Sequence, residues 1–174
     1  MSVTRIAGLA LVVALAGGVV LTGAGPLDPK LEAQLKRLFP SAGSFSPKEG
    51  NPPHYKVYAS DGKTLAGFVF WTPEIVPLER GYDGPIKMLV GLDTRAILAG
   101  ILVVEHHEPY GNFSVDPPEF AAQFKGKNIR DAFKVGDDID AISRATITVT
   151  SSSRAVRNSA RRIAREFLTP EGVK

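Results

Sequence analysis

The chain contains no cysteine, and among its 174 residues there are two methionines and one tryptophan, with aromatics at 8%. Without thiols there is no disulfide framework, no thiolate-held iron–sulfur cluster and no c-type haem attachment. Any redox chemistry would have to come from a bound organic cofactor or from oxygen and nitrogen metal ligands. Charge is nearly balanced, with 21 basic and 18 acidic residues for a formal net charge of +3. The arginines gather near the C-terminus, so no chain-wide basic stripe interleaved with aromatics argues for nucleic acid. At 44% hydrophobic and 22% charged, the length suits one folded domain plus a terminal segment.

Ile6 to Leu21 is an unbroken apolar run behind Arg5. Its length straddles the ~20 residues needed to span a bilayer, so it is expected to be an export signal or, preferentially, a retained single anchor. Positive charge before the run places the remainder outside the cytoplasm, at the periplasmic face of an inner membrane. The expected segments are 1–25 as signal or anchor, 26–53 as helix and linker, and 54–170 as the domain.

Asp28-Pro29, followed by Leu31, Leu35, Leu38 and Phe39, predicts a capped amphipathic helix. Ser41 to Pro53 is a loop by its Pro, Gly and Ser content. Tyr55 to Ala59 and Thr64 to Trp71 flank Asp61-Gly62 as a hairpin. A second hairpin, Ile86 to Leu92 and Ile97 to Glu105, is almost wholly apolar and so is expected to be covered on both faces. Asp116-Pro-Pro118 opens a short helix with Phe120 and Phe124 on one face, closed at Gly126 in a left-handed conformation. These elements predict an α+β fold: a twisted, mainly antiparallel sheet with packed helices, preceded by one N-terminal hydrophobic helix.

Two stretches carry chemistry. The second apolar strand runs into Glu105-His-His-Glu-Pro-Tyr-Gly111, an abrupt passage from hydrocarbon to titratable groups where binding loops sit. His106 and His107 are neighbours on a strand and point to opposite faces, and no third ligand stands at a suitable spacing, which disfavours a metal. The other stretch is Asp140-x-x-Ser143-Arg144-Ala145-Thr146-x-Thr148, which leads through Ser151, Ser152 and Ser153 into a helix expected over Ser153 to Leu168. Hydroxyls at a helix start suit an anion; the plain alternative is an N-cap after a β-branched strand. Arg154 and Arg157 are expected in that helix's first turn, where they oppose its dipole and hint at a nearby anion or a surface for an acidic partner. Arg161, Arg162 and Arg165 are expected in solvent.

In order and spacing, the Gly-Pro-Ile turn at 84–86, the His-x-Glu loop, the Phe-Lys-Gly-Lys turn at 124–127 and the Ser-x-Ala-Thr core together resemble the FMN-binding domain family. That family includes flavin-bearing subunits of ion-pumping oxidoreductases and the extracytoplasmic domain of regulators of nitrous oxide respiration. The likeness covers about Tyr55 to Leu168. It implies FMN joined through its phosphate to Thr146 by a flavin transferase, and an electron carrier rather than an enzyme, serving a membrane redox complex or electron-transfer protein. It also implies that His107, Glu108 and the backbone from Pro109 to Asn112 face the isoalloxazine ring. Asp140 would support the local fold or orient the transferase, Ser143 would bond the loop, Ala145 would allow close approach, and Arg144 would bond the phosphate. Thr148 competes with Thr146 on chemistry alone. The family usually has glycine where this chain has Arg144, which keeps open a binding or structural subunit without flavin.

Overall fold

The computed structural model describes residues 27–168. The expected signal or anchor lies outside them, and among the described residues no helix is long and apolar enough to cross a membrane.

Five strands form one antiparallel meander in the order of the chain: β1 (Ser44–Phe45), β2 (Tyr55–Tyr58), β3 (Leu65–Trp71), β4 (Lys87–Asp93) and β5 (Leu98–Glu105). Both hairpins have the expected turns. Asp61 accepts from the amides of Lys63 and Thr64 at 2.9 Å each. Asp93 accepts from those of Arg95 and Ile97 at 2.8 and 2.9 Å, and Ala96 takes φ 63°. An aspartate at the head of each turn thus ties down the amides that have no partner strand. β1 is a short strand inside the stretch expected to be loop, paired to β2 through Ser44 with Tyr58 and Phe45 with Val57.

Because side chains alternate along a strand, β3 and β4 feed two cores. Phe68, Phe70, Met88, Val90 and Leu92 enter the larger one, together with Leu98 and Ile101 of β5. Val69, Trp71 and Leu89 enter the smaller, with Tyr55 and Val57 of β2. Helix α1 (Pro29–Leu38) covers the smaller core with Leu35 and Leu38; its Asp28 N-cap accepts from the Leu31 amide at 3.0 Å. On the other face lie α2 (Thr72–Ile75), α3 (Gly111–Ser114), α4 (Pro118–Ala122) and the long α5 (Thr146–Phe167). Val149, Val156, Ala160 and Ile163 of α5 are fully buried there. Phe120 and Phe124 of α4 and the chain beyond it pack edge to face, 5.2 Å between centroids, and Gly126 takes φ 82° as expected.

The last helix departs from expectation. It starts at Thr146 rather than Ser153. Ser151, Ser153 and Ser159 donate to the carbonyls of Thr148, Val149 and Ala155 at 3.0, 2.8 and 2.6 Å, so their hydroxyls are satisfied within the helix instead of capping it. Arg154 and Arg157 therefore lie in the third and fourth turns, beyond reach of the N-terminal dipole. Arg154 pairs with Glu79 at 3.1 Å. Arg162 and Arg165 are exposed as expected, Arg162 donating to the carbonyl of Ile75, while Arg161 is half-buried and donates to the carbonyls of Ile129 and Asp131.

Leu89, fully buried between β3, β5 and α1, tests the two-faced sheet. Leu89→Ala should cost about 2–5 kcal/mol in urea unfolding; a loss below about 1 kcal/mol would mean that α1 does not close that face.

Candidate functional site

At the end of β5 the chain folds back on itself. The Glu108 amide donates to His106 Nδ1 at 3.1 Å, which places the imidazole proton on Nε2, and Nε2 donates to Asp116 at 2.8 Å. The reversal turns the Glu108 side chain inward, leaving it 6% exposed. Its carboxylate accepts from the amides of Tyr82 and Asp83 at 3.0 and 2.9 Å and from the hydroxyl of Thr148. Gly81 is glycine for a steric reason, since a Cβ there would stand 2.3 Å from Glu108 Oε1. Burial opposes ionisation of Glu108, but the Thr148 hydroxyl and the two amides outweigh it and hold its carboxyl below the usual glutamate range. One buried acid therefore joins the turn at 81–84, the loop after β5 and the first turn of α5.

Above this junction opens a cavity of about 540 Å³, lined by Tyr82, Pro109, Tyr110, Arg144, Ala145, Thr146, Ile147 and Thr148. That is within the ~300–1,000 Å³ of small-molecule sites. Its walls expose apolar surface: Tyr82 is 70% exposed, Ile147 58%, and Tyr110 stacks at 5.3 Å on Phe113. Thr146, exposed, is the first residue of α5, and no side chain caps that helix. Its first-turn amides thus face the cavity region without a side-chain acceptor. Arg144, exposed just before it, holds φ 67°, a left-handed conformation that costs a residue with a Cβ roughly 1–2 kcal/mol.

Five of the expected residues line this cavity: Pro109, Arg144, Ala145, Thr146 and Thr148. Ser143 forms the turn with Arg144 but is not in the lining, and His107 is exposed outside it. Asp140 is also exposed, its amide donating to Gln123 at 2.7 Å. Glu108 departs from its expected place beside a ring. Both its oxygens are engaged by protein donors, so it lies behind the lining as a brace. Thr148 is 3% exposed with its hydroxyl given to Glu108, while Thr146 is open. The expectations did not include Tyr82 and Ile147, and took Tyr110 only for its backbone. Two exposed tyrosines in turns beside Gly81 and Gly111 were the available signal.

Residues 81–161 match the family model described as the FMN-binding domain. The chain is 27% identical over 142 residues to Regulatory protein NosR of Pseudomonas aeruginosa, an alignment covering 75% of this chain and 19% of that protein. It is 33% identical over 89 residues to a subunit of the ion-translocating oxidoreductase complex of Vibrio vulnificus, covering 45% of this chain and 42% of that protein. The corresponding protein of Escherichia coli is 36% identical over 92 residues, covering 47% and 43%. The chain thus spans a fifth of the first relative and under half of the other two.

Two outcomes test this geometry. Glu108→Gln should cost about 1–3 kcal/mol by leaving buried donors badly paired. Because the folded-state pKa of Glu108 is depressed, its contribution is present above the usual glutamate range and lost as pH falls through the lower folded value. The wild type should therefore lose this increment on acidification in urea titrations, and Glu108→Gln should not; parallel pH profiles would contradict the brace. Arg144→Gly should stabilise the protein by about 0.5–1 kcal/mol through relief of the left-handed strain, and a net loss would mean that the guanidinium supports the fold.

Proposed function

We propose, since residues 81–161 belong to the FMN-binding domain family, that this chain is an electron-carrier subunit holding FMN through a phosphoester on Thr146 outside the cytoplasm. The observation that carries the attachment is the contrast between two hydroxyls on one helix turn. Thr146 is exposed at the uncapped start of α5 on the cavity wall, and Thr148 is buried and bonded to Glu108. A transferase can reach only the first.

The lining suits this cofactor. Tyr82, Pro109, Tyr110 and Ile147 offer apolar and aromatic surface to a flat ring and keep water from its faces. At the other end, the first-turn amides of α5 favour the phosphodiester charge by about 0.3–1 kcal/mol. Arg144, in the same lining, adds a charge-assisted donor. Buried Ala145 is small enough to allow close approach to the lining, and Ser143 with Arg144 forms the turn that presents Thr146. Bound FMN would supply reversible one- or two-electron exchange at this site. Glu108 holds the surrounding segments in place and keeps Thr148 occupied.

The apolar run Ile6 to Leu21 behind Arg5 supports export or membrane anchoring. The names of the two oxidoreductase-complex relatives support a membrane redox complex as partner. The donor and acceptor would then be membrane redox proteins, with a flavin transferase needed for maturation. Arg144, standing where the family usually has glycine, favours the alternative of a binding or structural subunit without flavin.

Intact-mass measurement of protein purified from its native membranes separates the two. The expected result is an increase of one FMN less one water, absent in Thr146→Ala; an unmodified wild-type chain overturns covalent attachment and leaves the second reading.

A further inference from the structure

The arginines of α5 are left without a task by the flavin site. Arg157, Arg161 and Arg165 recur at i, i+4 and i+8, so they share one stripe of the helix, and Arg130 stands beside them across a cleft of about 380 Å³ floored by Ile129. Like charges at this spacing repel by roughly 0.2–0.5 kcal/mol per pair. Burial first, and then the charges of Arg157 and Arg165, lower the pKa of the Arg161 guanidinium. Among the described residues none of the four lies in a salt bridge with a carboxylate. The nearest acid in the loop, Asp131, is taken by the Asn128 amide at 2.8 Å.

Two of the four guanidinia are held in place. Arg161 donates to the carbonyls of Ile129 and Asp131 at 2.6 and 3.0 Å, and Arg157 to that of Ala132 at 3.3 Å. Four cations thus stand on one face, none of them paired with a carboxylate among the described residues. Preorganised forks of this kind match carboxylates, and little side-chain entropy remains to be lost on binding. A surface lying on lipid would bring large apolar side chains to its boundary. Among the described residues the exposed ones are Leu78, Tyr82, Tyr110 and Phe113, from other segments, and Ile147, at the start of α5 and ten or more residues before the three arginines of its stripe.

We propose that the face formed by Arg130, Arg157, Arg161 and Arg165 is a docking surface for an acidic protein partner. Along α5, Arg165 lies about 28 Å from Thr146. A partner seated here leaves the cavity open, so the face fixes the domain in an assembly instead of covering its site.

The test is fluorescence anisotropy of a labelled octaglutamate peptide against the full chain at 50 and 200 mM salt. The proposal expects saturable binding that weakens at least fivefold at the higher salt, and at least tenfold in Arg130→Gln/Arg165→Gln, whose side chains make no described hydrogen bond and should leave the melting curve unchanged. Arg130→Lys/Arg165→Lys should keep affinity within about fivefold, and Lys63→Gln, an exposed lysine elsewhere, should leave it unchanged. Absence of peptide binding, an unchanged double variant, or an equal loss in Lys63→Gln overturns the proposal. So does binding to vesicles of phosphatidylglycerol and phosphatidylcholine without binding to the peptide, which would make the face a lipid surface.

Discussion

The Glu108 carboxylate is the point at which three distant segments meet. Amides of Tyr82 and Asp83 come from the turn before β4, the acid itself from the loop after β5, and the Thr148 hydroxyl from the start of α5. A buried carboxylate is tolerated only when its charge is met by donors, and here three meet it. The cavity walls are the outer surfaces of these same three segments. Its shape therefore depends on a charge held behind the lining. Gly81 gives way to the acid on one side, and His106, held by Asp116, sets the loop's reversal on the other.

Much of the fold was legible because it follows from local rules. Strand-forming and apolar runs in β3 and β4, aspartates at both hairpin turns, and the Asp28-Pro29 start of α1 each specify their element without help from the rest of the chain. The start of α5 was not legible for a physical reason. Thr146 to Ser153 is rich in β-branched and hydroxyl residues, which read as strand and cap; burying Val149 and bonding the serine hydroxyls to helical carbonyls overrides that preference. At the site, motif register favours Thr146 over Thr148, and three-dimensional placement adds that Thr146 is exposed while Thr148 is buried. Nothing in the spacing of Glu108 and Thr148, forty residues apart, announces their contact.

Local rules are broken most where the chain meets the cavity. Arg144 is left-handed without being glycine, the helix behind it has no side-chain cap, and its guanidinium stands at the helix end that disfavours cations. Each of these features costs stability in the protein alone, and the phosphate proposed at Thr146 would use the uncapped amides and the guanidinium. Concentrated exceptions of this kind mark functional positions better than any one residue type. The ordered arginines of α5 differ: their backbone bonds fix them without neutralising them, and they lie well along the helix from the cavity.

The dependence of this architecture on one acid is tested most directly by a double-mutant cycle between Glu108→Gln and Thr148→Val, read by urea unfolding at neutral pH. A coupling energy above about 1 kcal/mol is expected for groups sharing one buried bond; stability losses that add to within about 0.5 kcal/mol would mean that Glu108 and Thr148 act independently and that the cavity is held together by something else.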